Sequence, residues 1–127
     1  MPKPKKVVYV VDDDPSFRRG IERLLTAHGF LAEIFTSAED FRARAVPGGA
    51  DCLIVDVHLG QSSGFDLAGE LAATGLLRPI IFMTARDSPV VRDKAAAAGC
   101  VAYLTKPFAA LGFITAIEQA TQISAAC

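Results

Sequence analysis

"VVYVVDDDPSF", residues 7–17, joins two patterns that seldom meet. The first five residues, four valines and a tyrosine, read as a strand buried on both faces, as in a parallel sheet. The run ends abruptly in three carboxylates, Asp12, Asp13 and Asp14. Two unit charges about 4 Å apart repel by roughly 4 kcal/mol at an effective dielectric near 20. A core strand that delivers such a cluster to one spot needs a compensating partner. Asp14 has a simpler role, because with Pro15 behind it the residue is placed to cap a helix. Asp12 and Asp13 are left to be explained.

The same alternation continues along the chain. Strand-length apolar runs occupy Val7–Val11, Leu31–Phe35, Cys52–Asp56, Pro79–Met83 and Val101–Leu104. Between them apolar residues return at helical spacing, first as Phe17, Ile21, Leu24, Leu25 and His28, with Gly29 as a stop. Ser37 starts a second helix through Phe41 to about Ala45, and "VPGG" (46–49) breaks it. Ser63 opens a third, carrying Phe65, Leu67, Ala68 and Leu71 and stopping near Gly75. Ser88 and Pro89 open an alanine-rich fourth that ends at Gly99, and the fifth runs from about Ala109 through Phe113, Ile114 and Ile117. Five successive βα units of this kind predict an open α/β sandwich, a parallel sheet between two helix layers.

Composition narrows the function. At 127 residues and 51% hydrophobic, the chain has the size and apolar content for one domain with a full core. A net charge of −1 offers no basic face for nucleic acid, and Lys3, Lys5 and Lys6 read as a solvated leader. No apolar run approaches the roughly 20 residues that span a bilayer. The short N-terminal run goes straight into aspartates, so it has no signal-peptide cleavage site. The cysteines, Cys52, Cys100 and Cys127, lack metal-ligand spacing. Cys52 and Cys100 read as small buried residues in a reducing cytosol and Cys127 as a frayed terminus. The expectation is a cytoplasmic domain without membrane or direct nucleic-acid contact.

In open α/β sheets the ligand sits beyond the carboxyl ends of the strands, where the strand order reverses. Asp12 and Asp13 follow the first strand, Asp56 ends the third, Thr84 follows the fourth and Lys106 the fifth. Asp51 falls at the wrong strand end, roughly 16 Å from Asp56 at about 3.3 Å per residue. Asp66 and Glu70 belong to a solvated helix face, and His28 to a helix end. Carboxylate oxygens around one point suit a hard divalent cation such as Mg²⁺, which shares itself with waters and phosphate oxygens. Asp56 can then attack a phosphoryl group as a carboxylate nucleophile. Lys106 neutralises charge on the transferred group, and the Thr84 hydroxyl donates to one of its oxygens.

With these residues in hand, "VVDDD", "LIVDVHLGQSSG", "FMTA" and "YLTKPF" together resemble the receiver domain of two-component response regulators. The resemblance covers about residues 6–120 and leaves no output domain within residues 1–127. It implies a flavodoxin-like sheet of order 2-1-3-4-5, with Asp56 as phosphoacceptor. Asp13, Asp56 and the backbone carbonyl of His58 would ligate Mg²⁺, and Asp12 would act through metal-bound water. Lys106 would pair with Asp56 and then with the phosphoryl group, from a cis bond to Pro107. Thr84 and Tyr103 would be the switch pair. The donor would be a sensor histidine kinase or histidine phosphotransfer protein, and the chain a phosphoacceptor rather than an enzyme. Val90, Val91, Ala98, Tyr103 and Phe108 would form an effector or homodimer surface on the fourth helix, fifth strand and fifth helix.

Gly60 replaces a proline common in receivers four residues after the acceptor, which suggests a freer loop. His58 and Arg86 occupy positions that differ widely among receivers and bear on the lifetime of the phosphoryl group. Two other readings stay open: a receiver fragment of a larger DNA-binding response regulator, and an aspartyl-nucleophile phosphatase. Such phosphatases usually carry a second acid two residues after the nucleophile, where this chain has His58.

Overall fold

Five parallel strands form one sheet: β1 (Val7–Val11), β2 (Leu31–Phe35), β3 (Cys52–Asp56), β4 (Ile80–Thr84) and β5 (Ala102–Thr105). Their order is β2-β1-β3-β4-β5, as the resemblance implied. Five helices alternate with them: α1 (Pro15–Ala27), α2 (Ala38–Arg44), α3 (Gly64–Ala73), α4 (Pro89–Ala97) and α5 (Ala110–Ala126). The computed structural model describes residues 5–46, 48–74 and 78–126, with side chains described through residue 122. Lys3, Pro47, Gly75 and Cys127, to which the sequence assigned a leader, a breaker, a stop and a frayed end, lie outside the described residues.

Four helices start where the sequence places a cap. Asp14 accepts from the Ser16 and Phe17 amides, Ser37 from Asp40, Ser63 from Phe65 and Ser88 from Val91. Each satisfies amides that the first helical turn leaves without partners. At the other end of α1 the His28 ring lies 3.0 Å from the Leu24 carbonyl, the helix-end role read from sequence. β4 and β5 begin one residue later than their apolar runs suggest. Pro79 has no N–H to give a ladder, and Val101 is substantially exposed.

The strand pleat sorts the core into two layers. Tyr9, Val11, Leu53, Val55 and Phe82 face α2, α3 and α4, joining Phe41, Leu67 and Ala95. Val8, Val10, Ile54, Ile81 and Met83 face α1 and α5, joining Ile21, Leu25, Phe113 and Ile117. Central β3 is buried throughout, whereas edge strand β2 alternates exposed and half-buried residues before the buried Phe35. Cys52 is fully buried, and desolvation pushes its thiol up to about 12, so it is an inert core residue. Cys100 is half-buried against the α2/α3/α4 layer. Among the described residues no helix is long and apolar enough to cross a membrane.

The loop after β3 is tighter than the Gly60 substitution suggested. His58–Leu59 and Ser62–Ser63 pair as a two-residue antiparallel ribbon. Gly60 turns it with φ 61, while Gln61 has no positive φ, the pattern of a type II′ hairpin turn. Proline, fixed near φ −65°, could not adopt that conformation. The ribbon is too short to show as a period in the sequence.

Candidate functional site

Register brings the expected residues to one edge. Val11 pairs with Val55, so Asp12 leaves β1 level with Asp56 at the end of β3. Asp56 pairs with Met83, and Thr84 with Thr105, which sets Lys106 one residue beyond the β5 ladder. β1 and β3 flank the point where the strand order reverses.

Asp12 is fully buried, Asp56 nearly so, and Asp13 exposed. The Lys106 ammonium spans the two buried carboxylates, donating to Asp12 Oδ2 at 2.7 Å and Asp56 Oδ2 at 2.8 Å. The remaining oxygens also have partners: Asp12 Oδ1 accepts from the Asp14 amide at 2.8 Å, and Asp56 Oδ1 from the His58 amide at 2.9 Å. Burial pushes the Asp12 carboxyl up from its ordinary range, against the lowering by Lys106 and the Asp14 amide. Burial works the other way on Lys106, but its hydrogen bonds to Asp12 and Asp56 prevail and hold its pKa above the usual lysine value. The Lys106–Pro107 bond is cis. The buried Thr84 hydroxyl accepts from the Arg86 amide at 2.9 Å, at the start of the β4–α4 loop.

The donor set fits a hard dication. Carboxylate oxygens of Asp12, Asp13 and Asp56 lie within 4.8 Å of one another. Three carboxylates and one ammonium sum formally to −3 + 1 = −2, which a divalent cation cancels. Both Asp12 oxygens already accept hydrogen bonds, while Asp13 has no hydrogen bond or ion pair among the described residues. That difference suits Asp13 as a direct ligand, while Asp12 and Asp56, with both oxygens of each already accepting, are not told apart by it.

The remaining acids fall away as expected. Asp51 accepts from the Val7 amide at the opposite end of the sheet. Glu70 binds Arg42 on α2, and Asp66 is exposed. His58 and Arg86 are exposed beside the cluster, at the ends of β3 and β4.

A family profile, response regulator receiver domain, matches residues 8–118. The chain belongs to this family. Among curated relatives, the receiver is 35% identical over 118 residues to Nodulation protein W of Bradyrhizobium diazoefficiens, covering 93% of this chain and 52% of that protein. It is 32% identical to Transcriptional regulatory protein FixJ of Azorhizobium caulinodans, over 93% of this chain and 56% of the relative. The receiver thus spans about half the length of these relatives. A solved structure of the response regulator StyR superposes with a TM-score of 0.87 at 37% identity, covering 96% of the receiver and 62% of StyR.

Three features of the receiver escaped the sequence. Arg18 donates to the Asp12 carbonyl at 3.0 Å, bracing the turn after β1. Phe17, read as core, has its ring centroid 4.0 Å from the Lys106 ammonium. Tyr103 donates to Asp87 at 2.9 Å, and the Arg92 guanidinium covers its ring at 5.2 Å while binding the same Asp87 at 2.8 Å. Asp87 and Arg92 straddle the Ser88 cap, five residues apart, so helical periodicity gives no sign of the pair. Of the surface candidates, Val90 and Ala98 are exposed, whereas Val91 and Phe108 are half-buried. Leu111 on α5, which the sequence passed over, is 78% exposed.

Proposed function

We propose that this receiver is a Mg²⁺-dependent phosphoacceptor of a cytoplasmic two-component pathway, loaded on Asp56 by a sensor histidine kinase or histidine phosphotransfer protein. The observation that carries this reading is the lysine bridge: one ammonium held between Asp12 and Asp56, beside an exposed Asp13. An Asp56 oxygen attacks phosphorus, forming an acyl phosphate as the phosphorus–nitrogen bond to the donor histidine breaks. The bound Mg²⁺ supplies positive charge that offsets repulsion between the phosphoryl and carboxylate oxygens. Lys106 leaves Asp56 for a phosphoryl oxygen without losing Asp12, and Thr84 donates to another. The chain serves as acceptor, assisting its own phosphorylation and hydrolysis, rather than as an enzyme acting on other substrates.

Mg²⁺ alone tests the donor set. It should stabilise the fold by about 2.7 kcal/mol at a hundredfold excess over Kd. In Asp13→Ala most of that gain should disappear from thermal melts. Retention of the full shift would place the metal elsewhere.

The output of the site runs through Tyr103. The Asp87–Arg92–Tyr103 set holds the tyrosine on the α4/β5 surface, and burial together with the Asp87 hydrogen bond pushes its hydroxyl up to about 12. Drawing the Thr84 hydroxyl toward a phosphoryl group also draws on the Arg86 amide, next to Asp87. That movement loosens the clasp and reshapes the α4–β5–α5 face for an effector or a second copy. Asp87→Ala should therefore reproduce, without phosphate, part of the amide-exchange increase that a beryllofluoride mimic causes around Tyr103. It should also lower the Tyr103 titration, leaving the part of the rise that burial causes. Exchange changes confined to the acidic pocket would count against this route. The relatives' greater length supports a second reading, in which the same switch controls an attached output segment.

A further inference from the structure

The Lys106 ammonium has three N–H donors. Asp12 and Asp56 accept from it at 2.7 and 2.8 Å. A third side is faced by the Phe17 ring, 4.0 Å away at its centroid. Phe17 comes from the first turn of α1, directly after the acidic run. Its ring is braced edge-on by Phe108, 5.7 Å away at 89°. Phe108 in turn stacks on Phe113 at 4.9 Å and 13°, and Phe113 is fully buried on α5. Three rings thus run from the α5 core to the ammonium.

We propose that Phe17 is a positioning residue for phosphoryl transfer, acting through Lys106, with Phe108 and Phe113 fixing its ring. The inference rests on the phosphoacceptor reading of Asp56. A lysine head on a four-carbon stem has many rotamers and binds water strongly. The ring face attracts the ammonium through its quadrupole and denies it water on that side. Held from three directions, the charge stays over the two carboxylates, where a phosphoryl group arrives. Preorganised charge of this kind acts without reorganisation at the moment of reaction. Simple core packing at position 17 would require only apolar bulk, so leucine would serve as well as phenylalanine.

The test uses the full chain with Phe17→Leu and Phe17→Tyr. Three quantities are measured: the rate of adduct formation from a small acyl-phosphate donor at saturating Mg²⁺, the Mg²⁺-dependent thermal shift, and the NMR position of the Lys106 ε-methylene protons without metal. In wild type those protons should carry an upfield ring-current shift. Phe17→Leu should lose that shift and form adduct about fivefold more slowly. Phe17→Tyr should keep both properties, and the Mg²⁺ shift should be equal in all three proteins. A leucine variant as fast as wild type overturns the inference while leaving the phosphoacceptor reading intact. So does equal slowing in the leucine and tyrosine variants, or slowing accompanied by loss of the Mg²⁺ shift. A wild-type chain that forms no adduct overturns the phosphoacceptor reading and this inference with it.

Discussion

Asp56→Asn should take up no phosphoryl group under conditions where the wild type gains one. The carboxamide keeps the volume of the side chain and an oxygen for the His58 amide, which donates to Asp56 Oδ1 at 2.9 Å. It loses the anionic oxygen that forms the new bond, and an amide is far too weak a nucleophile to replace it. The variant should still fold. Lys106 keeps Asp12 as its acceptor though the carboxamide NH2 can no longer accept from it, and the formal charge of the cluster falls from −2 to −3 + 1 + 1 = −1, which relieves repulsion between the carboxylates. Loss of uptake would then reflect chemistry rather than unfolding. Intact-mass measurement after treatment with a small acyl-phosphate donor and Mg²⁺ should show one adduct on the wild type and none on the variant. Adduct of equal yield on the variant would move the acceptor to another side chain.

Much of this site was legible because its positions are tied to backbone periodicity. A buried parallel strand is a short apolar run, and the residue after it must stand at the sheet edge, so Asp12, Asp56, Thr84 and Lys106 could be placed by counting. Caps were equally readable, since Asp14, Ser37, Ser63 and Ser88 each answer unpartnered amides in the next turn. Contacts between side chains of distant elements were not. Phe17 has the spacing of a core residue and packs as one, yet the same ring faces Lys106, 89 residues further along the chain. The Tyr103 clasp depends on the path of the β4–α4 loop, which no period encodes. The ribbon after Asp56 was misjudged for a related reason. Its order comes from a glycine φ and two residue pairs, below the length at which alternation becomes visible.

Gly64→Ala should cost far more than a methyl group ordinarily does. The residue opens α3 directly on the end of β3, with its amide donating to the Val57 carbonyl at 2.8 Å. A Cβ built there would run into the Asp56 backbone carbonyl oxygen and stand 2.8 Å from Val55 Cγ1. The obstruction is mainly the backbone of Asp56, so no side-chain rotation can clear it. Either α3 lifts from the sheet or the end of β3 gives way, and overpacking of this kind costs about 1–3 kcal/mol. A fall in melting temperature of roughly 10 °C is expected. Because the strain falls on Asp56, the variant should also be phosphorylated more slowly under conditions where it remains folded. Gly69 supplies the control within the same helix: nothing lies within 4 Å of a Cβ there. Gly69→Ala should hold or raise stability, by up to about 1 kcal/mol, since alanine restricts the unfolded chain and favours the helix. Equal melting temperatures for the two alanine variants would show that α3 does not need this close approach to β3.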